Sequence, residues 1–478
     1  MEFDVIIVGA GTAGMPCAIT LAEHGARVAL IEKDPEVGGT LHLSAGQMSG
    51  SGSRLQRAKG IDDSPDAHLA DIDRLSHGKV DPAITRLAVE GAGATIDWLE
   101  DLGFPFPDDQ PIIYYGHDPY TTPRTYWGTE LGVSILNVVK PRLEELVAAG
   151  KIDLRLEHRL TDLIVEGERV VGVRVETPGG GSGELRSSAV VLATGGYAAN
   201  RALFDLYHPG LTVLLGARHT SQGEGLLAAQ RIGAGFRGAE HHLSTVGGIE
   251  TGPEPGTSDL WEALGNTNAN NRIAREIYVN ARGERYVAED EPSQDVQEHA
   301  LQAQGGRSWL VFDEASIDED EPLVVGWSAE MLRDHADAGK IAWRAGSLEE
   351  LARLAGIDAA GLTRTVAAFN AACAAGHDPL GRKALDRLIT AAPFYALRSD
   401  GVTATSFGGL TLDAELRVTR ADGTPIAGLF AVGEVMGAGA TMGNGFCSGM
   451  CVTPALTLGR RLGRQLAEAL SPAAAARR

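Results

Sequence analysis

Asp4-Val-Ile-Ile-Val8-Gly9-Ala-Gly11-Thr12-Ala13-Gly14 is the stretch whose reading decides the fold. Its first five residues are a continuous apolar run, suited to a parallel strand buried on both faces. A G-x-G-x-x-G turn follows, then a helical segment to about His24. Residues 27–31 (RVALI) repeat the buried-strand pattern and end on Glu32 and Lys33. Each glycine has its own task. Gly9 makes the tight turn, Gly11 lets the backbone approach a pyrophosphate, and Gly14 brings helix and strand into close packing. The free N–H groups and positive dipole end of the helix suit phosphate. Glu32, 18 residues beyond Gly14, is placed to accept hydrogen bonds from ribose hydroxyls.

The fingerprint alone does not choose between NAD and FAD, but the remainder of the chain favours FAD. Gly38-Gly39-Thr40 and then Ser44-Ala45-Gly46 offer small residues and backbone donors to a second part of an extended ligand. Residues 154–175 read as short strands around Gly167, a hairpin pattern. Residues 190–196 (VVLATGG) form an apolar strand ending in Ala193, Thr194 and the pair Gly195-Gly196. Residues 428–434 (GLFAVGE) deliver Gly433 and Glu434 near the C-terminus.

The other residues set bounds. A chain of 478 residues predicts two domains. A net charge of −21 disfavours nucleic acid and anionic membrane surfaces as partners. No run of about 18 apolar residues occurs, and the N-terminus has no signal-peptide pattern, so a cytoplasmic location is expected. Cys17, Cys373, Cys447 and Cys451 do not suggest a disulfide framework. Cys447 and Cys451 are one helical turn apart, and small buried thiols are the simpler reading than a redox pair. The acidic run at 318–321 reads as a solvated loop, and residues 473–476 as a frayed tail. No grouping has metal-ligand spacing.

The chain resembles the FAD-dependent fumarate reductase and succinate dehydrogenase flavoprotein family, which includes the 3-ketosteroid dehydrogenases. The resemblance rests on GAGTAG at 9–14, GGT at 38–40, ATGG at 193–196, RYVAED at 285–290, FGGL at 407–410, GLFAVGE at 428–434 and PALTLGRRLG at 454–463. It implies an α/β fold: a Rossmann-like FAD-binding domain in two chain segments, 1–239 and 404–478, with an inserted α+β capping domain at 240–403. FAD contacts are expected at Gly9, Gly11, Thr12, Ala13, Gly14, Glu32, Lys33, Gly39, Thr40, Ser44, Ala45, Gly46, Ala193, Thr194, Gly195, Gly433, Glu434, Gly449 and Val452. Some relatives attach the flavin to a histidine, but His42 is one residue out of step, so noncovalent FAD is expected. The helix entered at Thr453-Pro454 is implied to point its N-terminus at the flavin's pyrimidine end.

The resemblance implies hydride transfer between flavin and one carbon of a C–C bond, with proton transfer at its neighbour. Three positions that fumarate reductases use are substituted. The proton-donating arginine falls near Gln294, a histidine at Thr405, and the dicarboxylate-binding arginine at about Phe446. The ketosteroid branch fits better, although its key tyrosine is Phe446 here and a second falls at about Pro292. Candidates for a relocated acid or base lie among Tyr114, Tyr115, His117, Tyr120, Tyr126 and Trp127. Tyr126 is expected as the proton-transferring group, with His117 as a relay. Ser448 is expected to orient substrate, and His242 is a further candidate. The expected substrate is a small cyclic ketone or ketosteroid, with an unidentified electron acceptor or donor. Two alternatives remain. One is a flavoprotein with a degenerate site serving structure, sensing or docking. The other is a carboxylate-substrate reductase using Arg124 or Arg218.

Overall fold

The computed structural model describes residues 2–259, 272–317 and 322–470, so the acidic run at 318–321 and the tail at 473–476 lie outside the described residues. The chain divides into two compact units. The first comprises residues 1–208, 217–242 and 405–478, and the second 209–216 and 243–404. The sequence reading put residues 209–216 in the first segment, whereas they contribute a strand to the second unit.

In the first unit, β1 (Phe3–Val8) runs parallel to β2 (Val28–Ile31), with helix α1 (Gly14–Glu23) between them. Strand Ile152–Arg155 extends the sheet beyond β2. On the other side of β1 lies Gly181–Leu192, parallel to β1, and beyond its last residues Pro425–Ala431, parallel to it in turn. Parallel strands covered on both faces explain why residues 5–8, 28–31 and 189–192 are apolar throughout rather than alternating. Ile6 and Ile7 are both fully buried, in different core clusters on opposite sheet faces. Strands Arg159–Glu166 and Arg169–Thr177 form the expected hairpin, with Gly167 at positive φ. The C-terminal helix Val452–Leu470 packs against α1, and Pro454 sits in its first turn, where a missing N–H costs nothing.

The second unit is built on a six-stranded sheet. Phe394–Thr403 is central, flanked by Arg307–Asp313 and Thr245–Gly248, and Ile277–Val279 pairs with Arg307–Asp313. Helices Gln294–Ala303, Ala329–Ala338, Leu348–Ala355 and Ala359–Ala375 belong to it. A buried charge network anchors the RYVAED stretch: Arg285 grips Glu289 and Asp378, and Arg382 reaches Glu289 at 3.2 Å. No helix among the described residues is long and apolar enough to cross a membrane.

Candidate active site

The G-x-G-x-x-G turn forms as the sequence requires. Gly9 has φ +104°, and a Cβ there would lie 2.3 Å from the Ala193 carbonyl oxygen. A Cβ on Gly14 would lie 1.8 Å from the Gly9 carbonyl oxygen. Gly11 is different: a Cβ would meet only the Gly39 Cα, at 3.8 Å. The chain therefore keeps Gly9 and Gly14 for its own packing, while the space at Gly11 suits a ligand's approach.

Helix α1 has no side-chain cap and no acid in its first turn. Helices starting after Ser53, Ser64, Asp81, Ser293, Ser328, Ser347 and Asp358 are all capped by those side chains. Within α1 itself the Met15 and Cys17 N–H groups bond the Gly11 and Ala13 carbonyls, at 3.1 and 3.3 Å, and Pro16 has no N–H. It is therefore the backbone of the turn leading into the helix that suits a dinucleotide pyrophosphate. Glu32 sits at the end of β2 and accepts from the Ala10 and Asp34 N–H groups, at 2.8 and 3.0 Å. Burial raises its pKa, while these bonds favour the carboxylate. Thr194 offers a buried hydroxyl without a hydrogen-bond partner among the described residues.

Several expected contacts face other duties. The Lys33 ammonium pairs with Glu224 at 2.6 Å, so only its backbone is left for a ligand. Ser44 Oγ accepts from Gly46 N–H at 3.0 Å, tightening the loop that also holds Ala45. Gly39, at φ +53°, faces Gly11, with Thr40 beside it. Glu434 is half-buried and accepts from both the N–H and the hydroxyl of Ser406, each at 2.8 Å. Gly433 closes on Ala13, next to Thr12 and Gly14, and Gly195 has φ +71°. Gly449 closes on Ser49, whose N–H is held by Thr453 Oγ1 at 2.8 Å, beside Val452. The His42 imidazole contacts the Val37 carbonyl at 3.0 Å and lies behind Gly38.

The three catalytic nominees part company. Tyr126 is wholly enclosed, with its hydroxyl 2.7 Å from Ser53 Oγ, and burial pushes its pKa far above the phenol range. A hydroxyl enclosed by the protein's own atoms meets no substrate, so the geometry argues against Tyr126 as acid or base. His242 is likewise buried, packed against Phe204, His208 and Phe407 in an aromatic cluster. Its pKa is well below the usual histidine value, because burial penalises the charged ring. Ser448 is buried as well, two residues from the partly exposed Phe446. Its hydroxyl reaches Gln47 Oε1 at 3.2 Å, and its carbonyl accepts from Tyr120 at 2.6 Å.

Close to Ser448 stands an aromatic face. The His117 ring lies 4.1 Å from that of Phe446, centroid to centroid. Tyr114 meets His117 at 5.4 Å and Trp127 at 5.3 Å, edge to face. All four rings are partly exposed, whereas Tyr120 is buried. The sequence reading took His117 as a partner for Tyr126, but its ring contacts are to Phe446 and Tyr114. Folding of the 114–127 loop decided this, and spacing carries no signal for it.

The guanidiniums proposed for a substrate anion are both engaged. Arg124 is fully buried and pairs with Asp63 and Asp71, each at 2.8 Å. Arg218 pairs with Asp34 at 2.7 Å and Glu36 at 2.9 Å.

Residues 4–450 match a family described as FAD binding domain, and the chain belongs to that family. It is an FAD-dependent oxidoreductase acting on CH–CH groups. The NADH:fumarate oxidoreductase of Klebsiella pneumoniae (strain 342) is 30% identical over 91% of this chain, which spans 44% of that relative. The 4-oxocyclohexanecarboxylate 2-dehydrogenase of Sinomonas cyclohexanicum is 27% identical, over 92% of this chain and 90% of its own. A solved 3-ketosteroid-Δ4-(5α)-dehydrogenase from Rhodococcus jostii RHA1, in complex with 4-androstene-3,17-dione, is similar with a TM-score of 0.70 and 27% identity. That match covers 98% of this chain and 97% of the other.

Proposed function

We propose that this chain introduces or removes the double bond α,β to the carbonyl of an uncharged or weakly charged cyclic ketone, steroid-like or smaller. The observation that carries the reading is the partly exposed aromatic cluster of Tyr114, His117, Trp127 and Phe446, whose edge-to-face and tilted rings offer apolar contact to a ring substrate. The carboxylate-substrate reading loses its nominated cations, since Arg124 and Arg218 are held by four carboxylates of the chain. The Sinomonas relative, named for a cyclic keto acid, supports a ring ketone.

FAD, when bound, takes or gives the hydride and its electron pair. The protein's own share is binding and orientation. The turn at Gly9, Gly11 and Gly14, with Glu32, is assigned to the adenosine pyrophosphate half, held without a covalent link. The 446–452 segment is assigned to the substrate side, with Ser448 steered by Gln47. A small-molecule electron carrier of unassigned identity completes the cycle.

The test is anaerobic exposure of the FAD-loaded protein to a panel of cyclohexanones, 3-ketosteroids and dicarboxylates, followed by flavin absorbance. Bleaching by ketones alone is expected. Bleaching by succinate, or reoxidation of the reduced protein by fumarate alone, would favour the carboxylate reading. Flavin that no carbonyl compound reduces or reoxidises would favour a degenerate site.

A further inference from the structure

Arg218 is committed to two carboxylates, and both stand just after Glu32, on the turn that leaves β2. Its Nη2 lies 2.7 Å from Asp34 Oδ2 and 2.9 Å from Glu36 Oε1, and its Nε reaches the same Asp34 oxygen at 3.2 Å. The pair with Asp34 is sheltered, the two side chains being 15% and 11% exposed. A multiply bonded, sheltered guanidinium fixes its partner far better than a free surface pair does. The turn is tied to the same region a second time, by Lys33 to Glu224 at 2.6 Å. On its other side only backbone holds it: the His158 N–H donates to the Glu32 carbonyl at 2.8 Å and the Glu157 N–H to that of Asp34 at 3.2 Å.

What this turn carries is the setting of the Glu32 carboxylate. The Asp34 N–H donates to its Oε1 at 3.0 Å and the Ala10 N–H to its Oε2 at 2.8 Å, so the acid is held between the turn and the G-x-G-x-x-G segment. The 218–225 stretch borders that segment too. A Cβ on Gly225 would lie 2.2 Å from Thr194 Oγ1, and Ala193 closes on Gly9.

We propose that Arg218 is a positioning residue for FAD: by holding Asp34 it fixes the Asp34 N–H, and through it the Glu32 carboxylate, in the orientation that receives the ribose hydroxyls. The inference rests on the assignment of Gly9, Gly11, Gly14 and Glu32 to the adenosine pyrophosphate half. An acid already oriented needs no ordering when the ribose arrives. One on a loose turn must be ordered by the cofactor, which then binds more weakly. The effect falls on cofactor affinity and not on the chemical step.

The experiment compares wild type, Arg218→Met, Arg218→Lys, Asp34→Ala and the double variant Arg218→Met/Asp34→Ala, all as full-length chains. FAD Kd is read from the rise in flavin fluorescence as the loaded protein is diluted, and Tm from the same chains stripped of flavin. A bond to a charged group favours the ordered turn by a factor of roughly ten to a hundred, so FAD Kd for Arg218→Met should rise by that order. The Tm of the stripped chain should fall by no more than about 4 °C, because only a turn loosens. Arg218→Lys keeps the charge but not the forked donor, and should recover part of the loss. The double variant should bind FAD about as well as the weaker single variant, since both break one link. An FAD Kd for Arg218→Met within threefold of wild type would overturn the assignment, as would losses that multiply in the double variant. If Arg218→Met does not fold, Asp34→Ala decides by the same threefold limit. Gly11→Val is the control for the cradle: FAD retained by that variant would overturn the assignment of the adenosine half, whatever Arg218 does.

Discussion

Gln294 donates its side-chain amide to the carboxyl of Glu298, one helical turn along, at 2.6 Å. The buried face of helix Gln294–Ala303 is Gln294, Gln297, Glu298 and Leu301, three polar groups where a core helix would carry three apolar ones. Thr245 also bonds the carboxyl, and Asp295 and His299 of the same helix act on it with opposite sign. Arg307, on a strand packed against the helix, is committed to Asp400 at 2.8 Å. Burial dominates and pushes the Glu298 pKa from 4.5 up to about 8.

That shift fixes a sign. Above pH 4.5 the unfolded chain releases a proton that the folded chain keeps until about pH 8, so Glu298 costs stability that grows as pH rises through this window. Glu298→Gln keeps the shape and removes the titration. Denaturant unfolding at pH 7.5 should show the variant more stable by ~1 kcal/mol or more, with little difference at pH 4.5. Equal stability at both pH values would mean that Glu298 is not held protonated.

His68 behaves in the opposite direction. It is fully buried, neither ring nitrogen has a hydrogen-bond partner among the described residues, and burial lowers its pKa to about 3. Below pH 6.5 the unfolded chain takes up a proton that the native ring refuses, so stability falls as the solution is acidified. His68→Leu should gain about 2 kcal/mol at pH 5 and close to nothing at pH 7.5. His208, lowered to about 4, adds to the same acid sensitivity. An unfolding curve for His68→Leu that tracks wild type from pH 7.5 to 5 would contradict this.

Gly11 and Gly14 should separate cofactor binding from folding. Gly11→Val places its side chain in the ligand's space, so FAD content should drop to background while the far-ultraviolet spectrum stays native. Gly14→Ala drives a methyl into the Gly9 carbonyl oxygen and should lower stability by several kcal/mol whether or not FAD is present. Retained flavin in Gly11→Val would move the cradle elsewhere.

Tyr126→Phe should leave flavin reduction by substrate within threefold of wild type. Its cost is structural, about 1 kcal/mol for the lost bond to Ser53, measured by denaturant unfolding. A rate loss near a hundredfold with intact FAD content would restore Tyr126 to the mechanism.

Much of the flavin half was legible because its constraints are local. Glycines with no room for a Cβ, apolar strands and an acid at a strand end are visible in single segments such as 4–14 and 27–32. The acid/base question was not legible, because it depends on which side chains end up enclosed. Tyr126 and His117 lie nine positions apart, yet the first sits in a short strand sealed against Ser53 and the second lies against Phe446. Arg124 reads as a free cation until Asp63 and Asp71 fold around it. The polar face of 294, 297 and 298 was readable by helical spacing, had the period been applied to polar residues as well as apolar ones.

The pairing of Leu429, Phe430 and Ala431 with Val190, Val191 and Leu192 has a consequence for biosynthesis. The nascent chain makes the inner strand more than two hundred residues before its outer neighbour. At translation speeds of about 5–20 residues per second, that apolar edge waits on the order of ten seconds or more for its cover. An unpaired strand edge of this kind recruits other chains. Ribosome-bound chains halted before residue 425 should therefore be held by chaperones, and released fragments of that length should precipitate, while the full-length polypeptide closes its own seam.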